Sequence, residues 1–102
     1  MTLERLQEIF WGDDEEHDNE EHGEFERVEN PLHPRRDVCA LLLLERLAPV
    51  KYKAIGGAYH DEIYFAADPE NVAEVATEEE LLTLIRCGVL YDEDSGSFKM
   101  FV

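Results

Sequence analysis

Two histidines among carboxylates, near the N-terminus, form the pattern in this sequence that comes nearest to a metal site. The stretch HDNEEH places His17 and His22 five residues apart, with acidic residues between them. A specific zinc or manganese site needs three or four ligands held by surrounding groups. Five residues is not a whole number of helical turns, so a helix would not bring both imidazoles to one face. We keep a divalent-metal-binding protein as an alternative, and we assign no metal ligand and no cofactor.

A second pair that could do chemistry is His60 and Glu62. Residues two apart on a strand share a face, so a hydrogen-bonded acid–base pair is geometrically possible there. A polar edge strand that keeps a hairpin in solution explains the same residues without chemistry. The serines at 95 and 97 fall in a predicted turn, and the two cysteines lie in apolar helical surroundings. We therefore predict a protein that is not an enzyme and has no catalytic residue.

The charge balance bears most directly on function. The 102 residues include 25 acidic and 9 basic side chains, for a net charge of −16. Residues 1–33 carry 12 acidic and 2 basic side chains, and residues 34–102 carry 13 and 7. Like charge at this density repels the phosphates of nucleic acid and anionic lipid, so we expect no direct binding to nucleic acid or membrane. A partner should present a basic surface.

The acid is concentrated in residues 12–26, GDDEEHDNEEHGEFE, which we call the acidic segment. A charge run of this kind is usually a solvated face or a tail. Interleaved aromatic residues, which a solubilising tail does not need, favour a binding role instead. The predicted partner-binding residues are nine carboxylates with two aromatic anchors: Asp13, Asp14, Glu15, Glu16, Asp18, Glu20, Glu21, Glu24, Glu26, Trp11 and Phe25.

Duplex DNA carries one negative charge per ~1.7 Å of axis, and a folded protein dense in carboxylates can approximate that field. In size, charge and lack of catalytic residues the chain resembles the small nucleic-acid-mimic inhibitors that phages use against host defence. The resemblance implies a non-enzymatic interaction protein that blocks the basic groove of a DNA- or RNA-binding protein. A third alternative is a structural or assembly homo-oligomer that the acidic part keeps in solution.

Residues typical of helix starts and ends predict the helices that would hold the candidate binding residues in place. Leu3, Leu6, Ile9 and Phe10 recur at helical spacing after Thr2, a candidate N-cap, and Trp11-Gly12 closes that helix. A central helix is predicted over Pro34–Leu47, with an almost continuous apolar surface that should be covered on more than one side. Arg35 and Arg36 near its start are expected to pair with the acidic segment.

Two further helices are predicted in the second half of the chain. Asp68-Pro69 is an N-cap followed by proline at the first helical position, and that helix should run through Val75. TEEELLTLIRCG has a capping box formed by Thr77 and Glu80 and a terminating Gly88.

Two hairpins complete the pattern. In the first, an arm starting at Val50 is expected to turn at Gly56-Gly57 into a second arm from Tyr59 to Phe65. The second hairpin turns through Asp94-Ser95-Gly96, with Phe98, Met100 and Val102 on one face. The sequence therefore predicts a single α+β domain over residues 1–102. In this domain, two antiparallel β-hairpins pack with about three to four helices. Residues 1–33 form an acidic N-terminal part, and residues 34–102 form the α+β core.

The cysteines and the apolar stretches of the sequence bear on the cellular compartment. Cys39 and Cys87 form no disulfide framework and no CxxC motif, so both are expected to be reduced and buried. MTLERLQEIFW lacks the basic and apolar regions of a signal peptide, and the longest apolar run, Val38–Leu44, is too short to cross a bilayer. We expect a cytoplasmic protein.

Overall fold

A computed structural model describes residues 1–12 and 19–102. Four helices and four strands make up an α+β domain, which confirms the predicted fold class. Helix α1 is Leu3–Trp11, α2 is Arg36–Leu47, α3 is Pro69–Val75 and α4 is Glu78–Cys87. The strands are β1 (Ile55–Tyr59), β2 (Glu62–Phe65), β3 (Leu90–Asp92) and β4 (Ser97–Phe101), and a single 3-10 turn spans Phe25–Arg27.

The helix ends are determined by the residues that the sequence indicates. The Thr2 hydroxyl accepts a hydrogen bond from the Arg5 amide at 3.2 Å, and the Asp68 carboxylate accepts from the Glu70 amide at 3.0 Å. Thr77 and Glu80 form both hydrogen bonds of the capping box. These contacts satisfy amides that have no partner inside the helix. The predicted starts of α1, α3 and α4 are thereby confirmed.

The central helix differs from its prediction at its start. It begins at Arg36 rather than at Pro34. Cys39, Ala40, Leu43 and Leu44 are buried and the helix contacts both α3 and α4, while Leu42 is 44% exposed. An apolar run indicates a buried stripe but does not tell how many neighbours will cover it.

The sheet is entirely antiparallel, in the order β1-β2-β4-β3. The two hairpins join through β2 and β4, where Ile63 pairs with Met100. The predicted turn at Gly56-Gly57 is wrong: both glycines lie inside β1, at a register shift between Ile55 and Gly57. Residues 50–54 form no strand. The chain reverses instead between Tyr59 and Glu62, where His60 adopts a left-handed φ of 51°.

The core lies between the helices and one face of the sheet. Phe98 and Met100 of β4 are fully buried there, whereas Val102, predicted to share their face, follows the strand and is 60% exposed. Phe98 packs against Phe10 of α1, with ring centroids 5.2 Å apart. The opposite face of the sheet carries Glu62, Tyr64, Lys99 and Phe101, and none of these four residues is buried. We call it the open face.

Candidate interaction surface

Glu21 fastens the acidic segment to helix α4. Its carboxylate accepts a hydrogen bond from Arg86 Nε at 3.1 Å and another from Arg27 Nη1 at 3.0 Å. The Glu21 side chain keeps 23% of its exposure and Arg86 keeps 19%, so the pair is partly shielded from solvent. The hydrogen bond from Arg86, followed by the charges of the two arginines, holds the pKa of Glu21 below its usual value. Glu21 is therefore an internal anchor as well as a surface carboxylate.

Main-chain contacts reinforce this anchor at the C-terminal end of α4. The Gly23 amide donates to the Ile85 carbonyl oxygen at 3.0 Å, and His22 Nε2 lies 3.1 Å from the Gly88 carbonyl oxygen. Helix ends leave carbonyl groups without intrahelical partners, and the acidic segment supplies donors for two carbonyls there. On the other side, Asn19 Nδ2 donates to the Ile9 carbonyl oxygen of α1 at 2.6 Å. Residues 19–23 are thus held between α1 and α4.

The two predicted aromatic anchors pack within the domain. Trp11 meets Tyr91 edge to face, with ring centroids 5.9 Å apart. Phe25 is partly buried and packs against the core. Both contacts help to explain how the N-terminal third is attached to the fold. A further role for either ring in contacting a partner stays a prediction.

Glu24 and Glu26 form a close pair of carboxyl groups. The side chain and charge of Glu26 raise the pKa of Glu24, while a hydrogen bond from its own backbone amide and then Glu24 lower the pKa of Glu26. Two like charges this close cannot both ionise freely, so one group holds its proton to higher pH. A cation brought to this point would relieve the repulsion.

Four basic side chains form ion pairs with carboxylates within the described chain. Arg5 pairs with Glu8 and Glu78, Lys99 with Glu62 and Asp92, and Arg27 and Arg86 both with Glu21. Among the described residues, neither Arg35 nor Arg36 pairs with the acidic segment; Arg36 Nη1 instead donates to the Cys87 carbonyl oxygen at 3.4 Å. Arg27 and Arg86, rather than Arg35 and Arg36, are therefore the arginines that pair with the acidic segment.

Most of the described carboxylates form no ion pair within the described part of the chain. Five of the 25 lie at positions 13–18, outside the described residues, and the six ion pairs of the described chain involve five of the other 20. That leaves 15 described carboxylates that have no ion-pair partner among residues 1–12 and 19–102. Glu20, Glu24 and Glu26 of the predicted partner-binding set belong to these 15. Asp13, Asp14, Glu15, Glu16 and Asp18 are among the residues that the structure does not describe, so their predicted role stays open.

The structure tests the divalent-metal alternative for the described residues. Within residues 1–12 and 19–102, no three His, Cys, Asp or Glu side chains are grouped so that they could hold a metal ion. A carbonyl oxygen can only accept, so the Nε2 atom of His22 must carry the proton it shares with Gly88. Only Nδ1 of that ring is left for a ligand. His17 lies outside the described residues, and the alternative stays a prediction.

The acid–base pair that the sequence makes geometrically possible between His60 and Glu62 is not formed. His60 lies in the turn between β1 and β2, while the Glu62 carboxylate accepts from the Tyr64 hydroxyl at 3.2 Å and pairs with Lys99 at 3.6 Å. The sequence predicts both residues on one strand because the glycine pair is the stronger turn signal. The anchoring roles of Asn19 and Arg86 are not predicted, since nothing in the sequence specifies which of the 25 acids Arg86 will meet.

Comparison with known proteins does not add a relative: no protein-family model, no curated protein and no solved structure matches this chain. In the part of the chain that the structure describes, no helix combines the length and apolar character needed to span a membrane.

Glu21→Gln is expected to loosen the acidic segment. The folded-state pKa of Glu21 is lowered, so its ionised form adds stability above the usual carboxyl pKa, and this contribution is lost as the pH falls through the lowered value. At neutral pH we expect a lower melting temperature and faster hydrogen exchange at the Gly23 amide. The difference from the wild type should shrink in acid. Glu20→Gln, which removes the same charge without an ion pair, is the control, and equal effects of the two substitutions would contradict the anchoring role.

Proposed function

We propose that this protein is a non-enzymatic, acidic interaction protein that binds a basic surface of a partner. The observation that carries the proposal is the set of 15 described carboxylates that form no ion pair with another described residue, in a chain of net charge −16. Of the nine lysines and arginines, four form ion pairs within the described chain, namely Arg5, Arg27, Arg86 and Lys99, and the other five lie within residues 31–60. The remaining negative field is available to attract a cationic partner.

The acidic segment is the proposed contact. Its residues Glu20, Glu24 and Glu26 lie next to the anchored Glu21, so a partner would meet carboxylates that are already positioned. Such preorganisation lowers the entropic cost of binding. The repulsion between Glu24 and Glu26 supports the same view, because an arginine or lysine of the partner would lower it. Association driven in this way should be fast and sensitive to salt.

The most specific form of the proposal is a nucleic-acid mimic that occupies the basic groove of a DNA- or RNA-binding protein. Its support is the density of carboxylates together with a folded scaffold that holds part of them. A partner of this class would bind the protein and duplex DNA competitively, since both would occupy one groove.

The cysteine and serine side chains, which are the candidate nucleophiles, support a protein that is not an enzyme. Burial, with a smaller effect of Cys39, raises the pKa of the Cys87 thiol to about 12, so it is not a thiolate at neutral pH. The Ser95 hydroxyl donates to Asp92 at 2.7 Å in an exposed turn. Both buried cysteines are free thiols, which supports our proposal of a reducing, cytoplasmic setting.

The test is capture from a host lysate with matched charge variants. One variant converts eight acids of the acidic segment to Asn or Gln and leaves the anchor Glu21 intact: Asp13, Asp14, Glu15, Glu16, Asp18, Glu20, Glu24 and Glu26. The control removes the same number of exposed carboxylates elsewhere: Glu4, Glu8, Glu29, Glu45, Asp61, Glu70, Glu74 and Glu79.

We expect the wild type and the control to retain one basic nucleic-acid-binding protein that the segment variant does not retain. Duplex DNA should displace it, as should salt at about 1 M, where the Debye length is about 3 Å. Retention of the same protein by the segment variant would remove the acidic segment from the interface. Retention without displacement by DNA would overturn the mimic while keeping an acidic interaction protein.

A further inference from the structure

The open face of the sheet contains a groove of about 460 Å³. Its lining combines small residues with the rings of Tyr59 and Tyr64 and with Phe65, whose side chain is buried: Gly56, Gly57, Tyr59, Tyr64, Phe65, Ala66, Ser95 and Ser97. The glycines of β1, Ala66 and Ser97 bring little side-chain bulk to the groove, and the Tyr59 ring lies against Gly57. None of these residues belongs to the acidic segment.

Two tyrosines form an aromatic wall of this groove. The rings of Tyr59 and Tyr64 are nearly perpendicular, at 83°, with centroids 5.8 Å apart. Tyr64 is held in place by its hydroxyl, which donates to Glu62 at 3.2 Å, and by Lys99, whose ammonium lies 5.9 Å from the ring centroid. Tyr59 is 65% exposed. A fixed ring beside an open one leaves an aromatic surface on which a flat or cyclic group can stack.

The other boundary of the groove is acidic. Ser97 pairs with Asp92, and Ser95 donates to the Asp92 carboxylate at 2.7 Å, so the groove serines adjoin the turn Asp92–Asp94. Glu93 and Asp94 in that turn are exposed, and no described residue forms an ion pair with either. Lys99, which pairs with Asp92 at 3.9 Å, is shared with Glu62 at 3.6 Å. The local charge at this boundary is negative.

We propose that this groove binds an extended, proline-rich peptide segment that carries lysine or arginine. Proline-rich chains adopt a polyproline helix without internal hydrogen bonds and dock into aromatic-lined grooves at low entropic cost. The rings of Tyr59 and Tyr64 would receive prolines, and the turn Asp92–Asp94 would receive a basic side chain. Complementary charge selects this occupant, because the acidic turn repels an acidic peptide and the phosphates of nucleic acid.

This inference goes beyond the proposed function, since it assigns a second surface with its own ligand. It does not require that the acidic segment bind anything. It predicts recognition by aromatic stacking together with one or two ion pairs, and therefore a weaker dependence on salt than the capture experiment would show.

The groove can be tested with the full chain and short synthetic peptides. The probe is a peptide of Pro-Pro-Arg repeats, titrated into isotopically labelled protein while the backbone amide signals are followed. We expect saturable shifts at Gly56, Gly57 and Ser97. Peptides of Pro-Pro-Glu and of Ala-Ala-Arg repeats should bind about tenfold more weakly or worse, since each lacks one of the two recognised features.

Tyr59→Ala should weaken binding of the Pro-Pro-Arg peptide about tenfold. Tyr52→Ala removes a tyrosine that is 88% exposed outside the groove, and it should leave binding unchanged. Equal binding by both variants, or equal binding of the Arg and Glu peptides, would overturn the proposal. It would also be overturned if a neutral oligosaccharide moved the same amides and the peptide did not, since the groove would then be a carbohydrate site. Neither outcome would bear on the acidic segment.

Discussion

Phe98→Ala is expected to lower the free energy of unfolding by about 3–5 kcal/mol. Phe98 is fully buried in β4, and its ring contacts Phe10 at 5.2 Å and Tyr91 at 6.2 Å between centroids. Truncation removes a large apolar surface from the core and leaves a cavity between α1 and the sheet. Small domains have a total stability of about 5–15 kcal/mol, so the variant should be close to unfolding at 25 °C.

Equilibrium denaturation in urea measures this loss. Phe101→Ala is the control, because Phe101 belongs to the same strand but lies on the open face and is 45% exposed. We expect a much smaller change for it. If the two substitutions cost the same, Phe98 is not the centre of the core that the structure describes.

Gly88→Ala is expected to cost about 1–2 kcal/mol from backbone conformation alone. Gly88 ends α4 with a left-handed φ of 100°, its amide donates to the Ile85 carbonyl oxygen, and its own carbonyl oxygen lies 3.1 Å from His22 Nε2. An added Cβ would also lie 2.6 Å from Arg36 Nη1, so that guanidinium would have to move. The substitution therefore disturbs both the helix end and one attachment of the acidic segment.

Gly96→Ala separates these contributions. Gly96 also has a left-handed φ, of 68°, but nothing lies within 4 Å of a Cβ placed there. Urea denaturation should show a larger loss for Gly88→Ala than for Gly96→Ala. Combining Gly88→Ala with Arg36→Ala should recover part of the difference. If the two glycine variants lose equal stability, the contacts around Gly88 add nothing to the backbone cost.

Local signals in the sequence predicted the helices well because the groups that end a helix are its own neighbours in the chain. Thr2, the Asp68-Pro69 pair and the Thr77–Glu80 capping box all act within three residues of the amides that they satisfy. The buried stripes of α1 and α4 follow from the same short-range periodicity. These elements needed no knowledge of the tertiary structure.

The first hairpin shows where local reasoning fails. A glycine pair is a strong turn signal, yet here Gly56 and Gly57 lie within β1 and His60 takes the left-handed position. Pairing of β2 with β4 sets the register, because it places Ile63 and Phe65 on the core side beside the buried Met100. Burial of those side chains involves contacts across the whole sheet and outweighs the cost of one unfavourable turn residue.

For the candidate site, the amino-acid sequence by itself determined the charge and the concentration of acid in residues 12–26, because charge depends on composition alone. Only the tertiary structure decided that Glu21 turns inward to Arg86, that Trp11 and Phe25 pack within the domain, and that Tyr59 and Tyr64 line a groove beside an acidic turn. Each of these contacts except the tyrosine pair joins residues far apart in the chain. Their meeting depends on how helices and strands pack, which no local pattern encodes.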